Sequence, residues 1–127
     1  MKVVFLIDDD QDDREIFQES LLSLKTAVRY EEARHGLEAL EKLKTEDFQK
    51  PDLIFLDFNM PVMDGKQTLV NIKKDGGLDG VPVVLFTTSS SPLDKTFGQQ
   101  YGAKFVTKPI RQKDLHDTIK QLLSFCK

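Results

Sequence analysis

The stretch IDDDQDD carries five aspartates in seven positions: Asp8, Asp9, Asp10, Asp12 and Asp13. It follows directly on the apolar run 3–7. Like charges this close repel, so a cation, a helix N-terminus or open water must relieve them. Other polar groups also stand just after apolar runs. Asp57 follows residues 53–56, Thr87 and Thr88 follow 83–86, and Thr107, Lys108 and Pro109 close a run that begins at 104. Carboxylates without His or Cys beside them are hard oxygen donors, which suit Mg²⁺, or Mn²⁺ in its place, and not zinc. A carboxylate beside such a cation can be the nucleophile toward a phosphoryl group and become an aspartyl phosphate. Phosphoryl transfer needs mainly positioning and charge neutralisation, for which Lys108 offers an ammonium and Thr87 a hydroxyl.

These residues are far apart in sequence, so the elements that carry them must bring them together. The runs 3–7, 53–56 and 83–86 are too short for helices and apolar at consecutive positions, as strands buried on both faces are. Two more strands are expected at 28–33 and 104–107, with the polar content of edge strands. Helical spacing separates them. Ile16, Phe17, Leu21 and Leu24 mark a helix over 12–25, and Leu37, Leu40 and Leu43 one over 36–44. Leu69, Val70 and Ile72 mark a third over 68–74, stopped by Gly76 and Gly77. Ser91, Pro92 and Asp94 read as cap, first position and early acid of a helix ending near Gly102. The last helix starts near Lys113 and keeps Leu115, Ile119, Leu122 and Leu123 on one face.

The order is thus β-α five times, which implies an α/β fold with a parallel sheet, right-handed crossovers and helices on both faces. Ligands of such open sheets bind outside the carboxyl ends of the strands. Taken singly, an Asp after a strand is a turn residue or a helix cap. Here four of the five strand ends deliver Asp, Thr or Lys to one edge, which points to a site.

The totals narrow the function classes. With 127 residues and 39% hydrophobic content, one domain over 1–127 is expected, without an output domain. The formal net charge of -3 and the lack of a basic stripe argue against nucleic acid as a direct partner. No apolar run reaches membrane-spanning length, and the lone Cys126 cannot form a disulfide within the chain, so a cytoplasmic protein is expected.

Four segments, LIDDD (6–10), PDLIFLDFNMPVMDG (51–65), PVVLFTTS (82–89) and AKFVTKP (103–109), carry a specific likeness. Over essentially its whole length the chain resembles the receiver domain of two-component response regulators, of the single-domain, chemotaxis-regulator-like kind. TTSSSPLD and the loop 76–80 are similar to regulators paired with bacterial phytochrome kinases. The resemblance implies a flavodoxin-like, doubly wound (βα)5 fold with strand order 2-1-3-4-5. It implies Asp57 as phosphoacceptor, with Asp8, Asp9, Asp57 and the backbone carbonyl of Asn59 around Mg²⁺, Asp9 a direct ligand and Asp8 acting mainly through water. Thr87 takes the place of the switch hydroxyl, Lys108 that of the motif's lysine, and Phe105 that of the aromatic switch, often Tyr in the family. The implied phosphodonor is a histidine kinase or a histidine phosphotransfer protein. The implied output is binding of a downstream protein, or a homodimer, through the face made by the fourth helix, the fifth strand and the last helix, around Lys95, Tyr101, Lys104 and Lys113. Self-catalysed phosphotransfer and slow loss of the phosphoryl group, with Asn59 and Ser89 setting its lifetime, are the only activities expected.

Three rivals compete with this reading. Asp8, Asp10, Asp12 and Glu19 hold the first, third, fifth and twelfth places of a calcium loop, but Asp13 stands where its turn needs Gly. A haloacid-dehalogenase-like, aspartate-dependent phosphatase would use Asp8-x-Asp10, yet it leaves the Asp57 motif unexplained. A binding module of the same fold that works without phosphorylation is the third, although every key polar position is filled. Asp10, Asp12 and Asp13 are expected to start the first helix, where acids favour the helix dipole.

Overall fold

The apolar runs do form the middle of a sheet. The structure is a computed structural model that describes residues 2–24, 27–58, 60, 63–88, 91–109 and 111–124. Its elements are β1 (Lys2–Ile7), α1 (Gln11–Ser23), β2 (Val28–Ala33), α2 (Gly36–Lys44), β3 (Leu53–Leu56) and α3 (Gly65–Lys74). A short 3₁₀ turn (Gly76–Leu78), β4 (Val83–Thr87), α4 (Pro92–Gln100), β5 (Lys104–Thr107) and α5 (Gln112–Leu123) complete them. All strand pairs are parallel, and the order is β2-β1-β3-β4-β5, as the resemblance implied.

Each inner strand serves two cores. Phe5, Ile7, Ile54, Leu56, Val83 and Leu85 face one way, with Ala39, Leu69 and Ile72 of α2 and α3 packed on them. Val4, Leu6, Leu53, Phe55, Val84 and Phe86 face the other, under Phe17 and Leu21 of α1 and Ile119, Leu122 and Leu123 of α5. This alternation is the two-residue period of a strand. It explains why runs buried on both faces read as continuously apolar. β2 and β5 lie at the edges and are only half-buried, in line with their polar content.

Two expectations about helices need correction. α3 begins at Gly65, a turn before the expected 68. Its first turn is polar, so apolar spacing could not find it, and a capping box marks its start instead. Asp64 Oδ1 accepts from Gln67 N at 2.9 Å, and Gln67 Oε1 accepts from Asp64 N at 3.4 Å. On α1, Phe17 and Leu21 are buried, whereas Ile16 is 37% exposed and does not join the core face. The start of α5 at Gln112 and the end of α4 at Gln100 fall within a residue or two of expectation. His35 caps α2, its Nδ1 accepting from Glu38 N at 3.1 Å.

Gly65 sets the depth of the β3–α3 connection. Its N–H donates to Phe58 O at 3.0 Å. A Cβ there would lie 2.4 Å from Asp57 O and 2.5 Å from Phe58 Cα, so only Gly lets the helix start this close to the strand end.

Candidate functional site

Strand register aligns the acidic residues. Ile7 pairs with Leu56, so Asp8 and Asp57 leave adjacent strands side by side. Asp57 N donates to Ile7 O at 3.0 Å and Asp8 N to Ala33 O at 3.1 Å, which holds both residues at the carboxyl edge. Asp8 is buried, with Oδ1 accepting from Asp10 N at 2.9 Å. Asp57 is also buried, whereas Asp9 is exposed. One carboxylate oxygen from each of Asp8, Asp9 and Asp57 lies within 4.8 Å of the other two.

β5 delivers the counter-charge. Lys108 N donates to Thr87 O at 2.8 Å, continuing the β4–β5 pairing by one residue. Its Nζ reaches Asp8 Oδ2 at 2.6 Å, Asp13 Oδ2 at 3.1 Å and Asp57 Oδ2 at 3.4 Å. Burial pushes the pKa of the Asp8 carboxyl up to about 6, against the pull of Lys108. Burial also works against the charge of Lys108, but the carboxylates of Asp8 and Asp57 outweigh it and hold its pKa above the usual lysine value.

Thr87 is fully buried as the last residue of β4, and the exposed Thr88 lines the acidic pocket together with Asp9, Asp57 and Lys108. Phe105 pairs in register with Leu85, two residues before Thr87, so Phe105 and Thr87 share a face of the sheet. The Phe105 ring is half-buried, edge-on to Phe58 at 6.5 Å. Phe58 also meets Phe97 of α4 at 6.2 Å, and Phe97 meets Tyr101 at 5.0 Å. Rings therefore run from the neighbour of Asp57 to α4 and β5. Lys95, Lys104 and Lys113 are exposed on those elements and α5, and Tyr101 is half-buried. Asn59, Ser89 and Cys126 lie outside the described residues.

The aspartates that were expected only to begin α1 divide in the structure. Asp10 is the N-cap and accepts from Asp13 N at 3.1 Å, and Asp12 is exposed in the first turn. Asp13 instead reaches Lys108 and so belongs to the site. Nothing in the sequence separates it from Asp12 except the helical angle between them. Arg14 was also missed. Its buried guanidinium donates to Asp8 O at 2.8 Å and to Glu32 Oε2 at 3.0 Å, tying the β1–α1 turn to β2.

The cluster fits a divalent cation. It offers three converging carboxylates, hard oxygen donors only, and more negative charge than one ammonium neutralises. Among the described residues, no helix is long and apolar enough to cross a membrane.

A family model described as the response regulator receiver domain matches residues 4–120. Response regulator Rcp1 of Synechocystis sp. is 32% identical over 129 residues, covering 98% of this chain and 88% of Rcp1. The crystal structure of the Mn²⁺-bound form of Rcp1 aligns with a TM-score of 0.87 at 31% identity, over 98% of this chain and 94% of that one. The phosphorylated cyanobacterial phytochrome response regulator RcpA aligns with a TM-score of 0.90 at 30% identity, over 98% and 93%. The sensor histidine kinase CheAY of Helicobacter pylori is 32% identical over 120 residues, which are 94% of this chain and 15% of that protein.

Proposed function

Because the chain belongs to the response regulator receiver domain family, we propose that it is a phosphorylation-driven switch with Asp57 as its phosphoacceptor. The observation that carries this reading is the Lys108 ammonium, which spans Asp8 and Asp57 across three strands at 2.6 and 3.4 Å. A histidine kinase or a histidine phosphotransfer protein is the donor. An Asp57 carboxylate oxygen attacks the phosphorus, the P–N bond of the phosphohistidine breaks, and its electron pair stays on the imidazole nitrogen. Lys108 faces the developing charge on the phosphoryl oxygens, with Thr87 as a hydroxyl donor once it turns toward them.

Asp8, Asp9 and Asp57 would hold Mg²⁺, with the backbone carbonyl of Asn59 as the further ligand that the family resemblance implies, and Mn²⁺ would substitute, as the Mn²⁺-bound form of Rcp1 supports. When bound, the cation supplies charge neutralisation at the transferred oxygens. Thr87 and Phe105 then bias the α4-β5-α5 face between two populations. The aromatic contacts from Phe58 to Phe97 and Phe105 support that route. Output is binding of another protein, or of a second copy, around Lys95, Tyr101, Lys104 and Lys113.

The test is to incubate the protein with a small acyl phosphate and Mg²⁺, then map the adduct by mass spectrometry. One phosphoryl group on Asp57 is expected, and none in Asp57→Asn. A folded protein that stays unlabelled, or is labelled elsewhere, overturns the reading.

A further inference from the structure

We propose that Asp13 is a positioning residue for Lys108, holding its ammonium in place for the phosphoryl group at Asp57. This rests on the reading of Asp57 as the acceptor. An ammonium has three N–H donors, and Lys108 Nζ contacts three carboxylates, those of Asp8, Asp13 and Asp57. Two of these partners have other duties. Asp57 takes the phosphoryl group, and Asp8 belongs to the oxygen cluster that fits a cation. Asp13 has neither duty, so its contact can persist when the other two are engaged.

The local structure suits this role. Asp13 is the third residue of α1, and its backbone N–H is held by the Asp10 side chain at 3.1 Å. The cap fixes the helix start, and with it the direction of the Asp13 side chain. The Asp13 side chain is 42% exposed and that of Lys108 only 11%, so Asp13 grips the lysine from the solvent side while Asp8 and Asp57 hold it from within. A lysine side chain is otherwise long and rotatable, and small displacements at a reacting centre cost rate.

The opposite possibility is that Asp13 merely repels an anionic donor. Asp12, in the same helical turn and exposed, carries the same charge and lines the same pocket, but it is not among the carboxylates on Lys108. The two effects therefore separate in a series of variants. Initial rates of Asp57 labelling are measured against acyl phosphate concentration, with Mg²⁺ present and folding checked by thermal unfolding.

Asp13→Ala is expected to lower the maximal rate about 5–10-fold while changing the half-saturating donor concentration less than about twofold. Asp13→Asn keeps an acceptor oxygen and is expected to fall between wild type and Asp13→Ala. Asp12→Ala is expected to stay within about twofold of the wild-type maximal rate. A maximal rate in Asp13→Ala equal to or above wild type overturns the inference, as does an equal loss in Asp12→Ala. Should Asp13→Ala not fold, a wild-type maximal rate in Asp13→Asn overturns it as well. A wild type without label on Asp57 overturns the acceptor reading and this inference with it. A labelled wild type beside an unimpaired Asp13 variant overturns the inference alone.

Discussion

Neutralising Asp8 should stabilise the fold in the absence of divalent cations, by an amount that depends on pH. The Asp8 carboxyl rises from 3.8 to about 6, chiefly through burial, and its side chain is 1% exposed. Its folded form therefore binds the proton more tightly than the unfolded chain does. Between those two values stability falls as pH rises, and above about 6 the full cost of the buried charge is present. At ~1.36 kcal/mol per tenfold change in proton affinity, that cost is about 3 kcal/mol. That figure is already net of the attraction and hydrogen bond of Lys108, so Asp8→Asn, which resembles the protonated carboxyl, removes it as a whole. The expectation at pH 7.5 is a gain of up to about 3 kcal/mol.

The pH dependence is the sharper quantity, because any packing difference between Asn and the protonated carboxyl is a constant offset while the ionisation cost is not. From pH 7.5 to pH 4 the advantage of the variant should shrink by about 2 kcal/mol. Urea unfolding of both proteins in EDTA at pH 7.5, 6, 5 and 4 measures it, carboxylates outside the Lys108 cluster cancelling in the difference. A difference that stays constant over this range would refute burial as the cause of the shift. The same holds for a variant less stable at pH 7.5 than at pH 4, relative to wild type.

Mg²⁺ at about 100 times its Kd should raise the stability of the wild type by ~2.7 kcal/mol in the same unfolding assay, EDTA should reverse this, and Asp9→Ala should reduce it. Gly65→Ala should cost more than about 2 kcal/mol and slow the labelling of Asp57, since its Cβ would press on the backbone of Asp57 and Phe58. Urea unfolding and acyl phosphate labelling check the two parts separately. Phe17→Ala should cost about 3–5 kcal/mol, because the ring is buried against Phe55 at 4.8 Å and Phe86 at 6.2 Å. Fold loss without a selective effect on labelling is expected there.

Local pattern was enough for the alternation of elements and for most of the site's members. Runs buried on both faces must be continuously apolar, so β1, β3 and β4 could be read from a few residues each. That Asp8, Asp57 and Lys108 meet could be read because a parallel sheet sends all its strand ends to one edge, whereas Thr87 ends β4 fully buried and Thr88 lines the acidic pocket. The start of α3 could not be read from apolar spacing, because a capping box, not an apolar residue, marks it.

What only the tertiary structure decided concerns angles and burial. Asp8 and Asp9 are neighbours in sequence, yet the end of a strand turns one into the sheet edge and leaves the other in water. Asp12 and Asp13 are equally acidic, yet one step around α1 aims only the second at Lys108. Residue type and strand order determined which groups gather at the edge. The packing of α1 against the sheet decided which of five aspartates share the lysine, because a hydrogen bond depends on direction and distance that sequence proximity does not specify.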